Sequence, residues 1–375
     1  MNKKIIHTVL YCLLAFPAFS QTQWPLVTQS SRPWTRWWWM GSGVDAKNIN
    51  SLLKTYSLAG IGGVDIVPIY GAKGFEHRYI SYLSPQWMGL LDTTVAIATK
   101  LNMGVDASVG TGWPIGGPQV TLNDAATKLV IQQYKIKADQ NLSEKIRIND
   151  PKQKDAAAIK PAALMAYSDD GKILDITDKI LADGSLSWIP EKGQWDLYAA
   201  FNAKTLQKVK RAAPGGEGYT FDHFSASALG NYFKKFDTAY GNTSHGVRSF
   251  FNDSYEVFNA NWSPDFFSEF KKRRGYDLRK YLREFNSNDS TALVAAIKSD
   301  YRETMADLML DNFSDKFTSW AHSKKALSTN QAHGSPGNLL DMYAAVDIAE
   351  TETFGSAYFP IPGLRRDSAD IRDYV

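Results

Sequence analysis

The chain has 375 residues, with 42 Lys plus Arg against 39 Asp plus Glu, 44% hydrophobic and 22% charged. Domains centre on ~100–150 residues, so this length predicts one large domain carrying an insertion, or two domains. The composition excludes a disordered, collagen-like or polytopic membrane chain, and the balanced charge argues against a nucleic-acid partner.

Lys3 and Lys4 precede an apolar run from Ile5 to Phe16 that is too short to span a bilayer, and Ala18-Phe19-Ser20 follows as a small-x-small cleavage site. Residues 1–20 are therefore predicted to be a secretory signal, which implies a secreted or periplasmic bacterial protein with no membrane association after cleavage. The single cysteine, Cys12, falls inside this segment. The mature chain would then have neither a disulfide nor thiol chemistry, and would rest on its core alone.

Residues 21–126 alternate strand and helix. Arg36–Met40 is an apolar strand. Asp45 caps a helix carrying Ile49, Leu52, Leu53 and Tyr56, which Gly60–Gly63 closes before a second strand at Val64–Val67. Ser84-Pro85 opens the next helix, and Met103–Ala107 is a third strand. From 127 to 218 the pattern becomes all-β: Leu129–Ile131, Tyr134–Lys137, Ala163–Tyr167, Lys172–Ile176, Trp195–Phe201 and Val209–Arg211, with Ser168-Asp169-Asp170-Gly171 as a hairpin turn. Residues 219–375 resume the first rhythm. A helix carries Leu229, Tyr232, Phe233 and Phe236, and a strand spans Val247–Phe251. A helix follows Ser263-Pro264, a long helix runs from about Asp300 to Lys324, and strands fall at Ala326–Asn330 and Ala345–Ile348.

Strand–helix–strand repetition means parallel strands joined by crossovers. The expected fold is α/β: a (β/α)₈ TIM-like barrel with an inserted all-β subdomain, incomplete at about six units. In a parallel barrel, functional groups gather at the C-terminal strand ends. Those positions hold Trp38 and Trp39, Trp113, Asp106, Asn252 and Asp253, Glu256, His333, and Glu350 and Glu352. Carboxylates among tryptophans suit glycosidic bond cleavage, in which one carboxyl group protonates the leaving oxygen and another activates water or attacks the sugar. Aromatic rings offer apolar faces to pyranose C–H groups. Trp37, Trp38 and Trp39 cannot all face one way on a strand, so at least one packs the core. No zinc-spaced histidine pair and no Gly-x-Ser-x-Gly elbow is present, which removes metalloprotease and serine-hydrolase chemistry.

Several segments resemble the α-L-rhamnosidases of glycoside hydrolase family 106. They are Arg36-Trp37-Trp38-Trp39, Gly60–Val64, Gly110–Pro118, Lys210–Gly218, Asn252–Glu256, Gln331–Pro336 and Ile348–Glu352. The resemblance implies an inverting, calcium-assisted hydrolase that removes terminal α-L-rhamnosyl residues from rhamnose-containing plant or microbial oligo- or polysaccharides. It implies Glu256 as general acid, and Glu350 or Glu352 as a second functional carboxylate serving as base, calcium ligand or sugar anchor. Asn252 and Asp253 are oxygen donors of the kind calcium takes, but the metal ligands themselves are unknown. Family members continue further, and the resemblance places a general base on a seventh strand. The chain is accordingly expected to be a fragment with little activity, the alternative being a non-catalytic carbohydrate-binding remnant.

Overall fold

The computed structural model describes residues 25–153 and 159–351. The expected signal at 1–20 and Glu352 lie outside them. The strands in chain order are β1 (Trp34–Met40), β2 (Gly63–Ile69), β3 (Gly104–Ser108), β4 (Gly116–Gly117), β5 (Thr127–Lys137), β6 (Pro161–Ser168), β7 (Ile173–Asp175), β8 (Gln194–Lys204), β9 (Tyr219–Thr220), β10 (Ser249–Asn252), β11 (Leu327–Asn330) and β12 (Ile348–Ala349).

Six of these form one sheet in the order β1-β2-β3-β10-β11-β12, and every pair is parallel. Each new strand adds beside the last, the single winding of successive barrel units rather than the reversal of a doubly wound sheet. Closure into eight strands is not seen among the described residues.

Local signals start the helices. Asp45 accepts from Asn48 N at 2.9 Å to begin helix Ala46–Leu58, and Ser84 with Pro85 begins Pro85–Lys100. These helices cover one face of the sheet. Trp37 meets Tyr56 edge-on at 6.0 Å, and Trp39 packs 5.6 Å from Trp87. Phe250 on β10 is likewise enclosed by Tyr240 and Trp320. The opposite face of β1 presents Trp34, Arg36 and Trp38, by the two-residue period of a strand. At its base Gly63 and Gly104 stand in register, and a Cβ on either would approach the Trp34 ring to within 2.3 Å. These two glycines make the groove that the indole fills.

Three boundaries differ from the sequence reading. The long helix begins at Ala292, capped by Thr291, and reaches Ser323 through a π-helical turn at Leu310–Ser314. Ala345–Asp347 is not strand: helix Leu339–Ala344 ends there and β12 is Ile348–Ala349. Asp347 sets that register, because its Oδ2 accepts from Ser328 N at 2.8 Å. Val209–Arg211 is not part of the inserted sheet either.

The insertion is a four-stranded antiparallel sheet, β5-β8-β6-β7. One face has its own core, including Tyr134, Ile136, Leu164, Trp195 and Leu197. The other packs Met165, Tyr167 and Tyr198 on Leu282. Tyr167 Oη fastens the two parts, donating to Arg279 O and accepting from Leu282 N, both at 2.9 Å. After β8 the chain returns across the C-terminal ends of the parallel strands. There Tyr70 N donates to Arg211 O at 2.9 Å, Tyr82 N donates to Pro214 O at 2.8 Å, and β9 pairs with β4.

Candidate active site

The inner face of the parallel sheet carries a charged row where apolar layers would be expected. Arg36, Asp65 and Asp106 stand in register on β1, β2 and β3. Arg36 sits 4.2 Å over the Phe251 ring and gathers three carboxylates: Asp65 at 3.6 Å, Asp253 at 3.3 Å, and Glu350 in a short contact. Asp106 is engaged on both oxygens by Arg248, at 2.9 and 2.5 Å, and Arg248 in turn lies 3.6 Å over Trp34.

Asp65 is the unusual member. Both of its oxygens are buried without a hydrogen bond among the described residues. Burial pushes its pKa up to about 8, against the pull of Arg36 and with help from the neighbouring carboxylates Asp106, Glu350 and Asp253. An unfolded aspartate ionises near ~4. Folding therefore takes up a proton between these values, and this residue's contribution to stability is lost as pH rises through that window. Asp65→Asn removes the linkage. Relative to the parent, the variant is expected to gain about 1–3 kcal/mol at pH 8 that it does not gain at pH 4, measured by urea unfolding at both pH values. An equal shift at the two pH values would refute the assignment.

Glu350, just past β12, is held by Arg36 and by Gln331, whose Nε2 donates to Oε1 at 2.8 Å. Its Oε2 makes no hydrogen bond among the described residues, and the side chain is one-third exposed. Asp253 is buried and also accepts from Ser254 N at 2.7 Å. Glu256 is half-buried beside the returning segment. Lys210 Nζ donates to its Oε2 at 2.5 Å and Gln207 Nε2 to its carbonyl at 2.6 Å. Trp113 exchanges backbone hydrogen bonds with Lys210 at 3.1 and 2.8 Å, and its ring meets Trp38 edge-on at 6.0 Å. A continuous path runs from Trp38 through Trp113 and Lys210 to Glu256, while Arg36, two residues before Trp38 on the same face, holds Glu350.

Trp38, Trp113, Asp253, Glu256 and Glu350 are thus linked through one face of β1. Trp38 is 44% exposed and available to a ligand. Trp39 is corrected: it is 0% exposed, turned to the helices, and belongs to the core. Asp106 is also corrected, because it lies inside β3, buried and spent on Arg248, rather than beyond the strand end. Asn252 is buried as the last residue of β10, where Nδ2 donates to Asn330 Oδ1 at 2.7 Å and joins β10 to β11. His333 is half-buried, and its carbonyl accepts from Tyr255 N at 2.9 Å.

Arg36, Asp65 and Lys210 were given no site role by sequence reasoning, whereas Gln331 was read as following the fifth parallel strand. A signal existed for the first two, each a charged residue within an apolar strand run. Among the described residues no three His, Cys, Asp or Glu side chains gather as a metal cage. Asp65, Asp253 and Glu350 converge on the Arg36 guanidinium.

Parallel strands added each beside the last, with acids and tryptophans near their C-terminal ends, are an arrangement on which many carbohydrate-cleaving enzymes are built. The chain belongs to the family whose model is described as alpha-L-rhamnosidase, glycoside hydrolase family 106, matched over residues 27–168 and 152–373. A rhamnosidase from Novosphingobium sp. PP1Y has a similar fold, with TM-score 0.69 and 16% identity over 85% of this chain and 48% of that one. A protein of Formosa agariphila named "Putative beta-glucuronidase" is 24% identical over 92% of this chain and 34% of its own length. The chain therefore spans about half of the first and a third of the second. Among the described residues no helix is long and apolar enough to cross a membrane.

Proposed function

We propose that this glycoside hydrolase chain removes terminal α-L-rhamnosyl residues from rhamnose-containing oligo- or polysaccharides with inversion, as a secreted or periplasmic protein. Glu256 donates the proton to the departing oxygen. Glu350, through its Oε2, activates the water that attacks the anomeric carbon. The observation that carries this reading is the linkage of both acids to one face of β1: Glu350 through Arg36, and Glu256 through Lys210, Trp113 and Trp38. Trp38 and Trp113 supply the apolar surface against which a 6-deoxy sugar packs.

The test is turnover of an aryl α-L-rhamnoside by the purified chain, with the first-formed anomer identified by proton NMR. Release of rhamnose as the inverted anomer supports this reading and overturns the expectation of a fragment with little activity. Release from an aryl β-D-glucuronide alone would change the sugar and keep the reaction class, and calorimetric binding of rhamnosides without product would favour a saccharide-binding protein instead. Calcium enters only as the family expectation. Turnover lost on dialysis against EDTA and restored by calcium would establish it.

A further inference from the structure

The returning segment places Lys208, Lys210 and Arg211 at the mouth of the sheet. Lys210 is paired with Glu256. Arg211 has no carboxylate within ion-pair distance among the described residues, although it is the most elaborately held of the three. Its guanidinium lies 5.5 Å from the ring centres of both Trp113 and Tyr70, and Nη1 donates to Tyr70 Oη at 3.1 Å. Its backbone sits in the left-handed region at φ 57°, fixed by the hydrogen bond from Tyr70 N to its carbonyl. Gly112 permits this close approach, because a Cβ there would come within 1.9 Å of Lys210 O.

A non-glycine residue at positive φ costs about 1 kcal/mol or more and persists where surrounding contacts over-determine it. Here those contacts hold an exposed guanidinium against the Trp113 indole, which the reading above assigns to the sugar surface. Among the described residues only one of its five N–H donors is used, in the bond to Tyr70, leaving a planar fork for a further acceptor. Beside it, Lys210 and Lys152 line an open hollow of 570 Å³ with Phe258, an exposed aromatic face over which Lys210 lies at 4.5 Å.

We propose that Arg211 recognises an anionic substituent, a uronic acid carboxylate or a sulfate ester, on the saccharide bound at this mouth. The proposal rests on the reading above for saccharide binding, and not for turnover. Calorimetry with the parent chain, Arg211→Met and Arg211→Lys tests it, using rhamnosyl glucuronate, its carboxyl-reduced counterpart rhamnosyl glucose, and a sulfated rhamnosyl glucose. The parent is expected to bind at least one anionic probe about tenfold tighter than the neutral one, the worth of a single charge-assisted contact, with the margin shrinking as salt rises. Arg211→Met brings the anionic-to-neutral ratio to within about twofold, and Arg211→Lys falls between because a point charge lacks the fork. Which anionic probe carries the margin distinguishes carboxylate from sulfate. Equal affinities in the parent, a ratio that survives in Arg211→Met, or no heat with any probe overturns the proposal. Probes that bind with the expected ratio but are never cleaved would leave it standing and refute the hydrolase reading alone.

Discussion

Arg36→Met is expected to lower the unfolding free energy by about 3–5 kcal/mol at neutral pH, the cost of stripping a buried charge cluster of its counter-ion. Three carboxyl groups meet this one guanidinium, Asp65 largely protonated at neutral pH and the other two at strand ends far from β1 in sequence. Methionine fills similar space and keeps the contact with Phe251, so little of the loss should come from packing. What remains is a set of acids facing one another in a region of low dielectric.

The loss should depend on pH in a way that a packing defect would not. Lowering the pH protonates the stranded acids and removes their repulsion, so the deficit at pH 5 should be smaller than at pH 8, read from urea midpoints with m-values checked for constancy. Combining Arg36→Met with Asp65→Asn should cost less than Arg36→Met alone, a coupling that a double-mutant cycle measures directly. Arg36→Lys should recover part of the stability, since an ammonium keeps the charge but cannot serve three carboxylates with a planar fork. A deficit equal at both pH values and unchanged by Asp65→Asn would mean that Arg36 is only a spacer.

The parts of the fold visible in sequence were those written in local chemistry. Asp45, Ser84 and Pro85 mark helix starts because their side chains or rings act on the adjacent turn. The runs at β1, β2 and β3 are apolar enough to announce themselves. The parts that stayed hidden depend on partners remote in sequence. β5 continues through Gln132 and Gln133 because eleven consecutive residues pair with β8, whatever their polarity. β12 begins at Ile348 because Asp347 is tied to Ser328, whereas Ala345 and Val346 are apolar without being strand.

The same division governs the site. Alternation along β1 separates Trp38 from Trp37 and Trp39, but only the positions of Tyr56 and Trp87 decide which set faces the helices. The contacts of Arg36 with Asp253 and Glu350 span 217 and 314 residues, so no window along the chain could join them. Glu256 was identifiable from its motif, but its partner Lys210 was not: the segment around it reads as another strand pair, and its actual course across the mouth is set by Tyr70, Trp113 and Tyr82.

Glu256→Gln is expected to reduce kcat by about 10²–10⁴ on a rhamnosyl disaccharide, the usual contribution of a positioned general acid. Glutamine keeps the length and polarity of the side chain, so saccharide affinity should stay within a few-fold, and the defect should fall on kcat. The decisive feature is its dependence on the leaving group. A sugar alcohol departs poorly as an anion and needs a proton in the transition state, whereas an activated nitrophenolate departs with little help. The loss in Glu256→Gln should therefore shrink sharply along a series of aryl rhamnosides as the phenol becomes more acidic. Glu350→Gln should behave differently, because activation of water on the opposite side of the sugar is needed whatever leaves. Its defect should be similar across the series. Equal losses for good and poor leaving groups in Glu256→Gln would remove it as the proton donor and leave its bond to Lys210 as a structural tie for the returning segment.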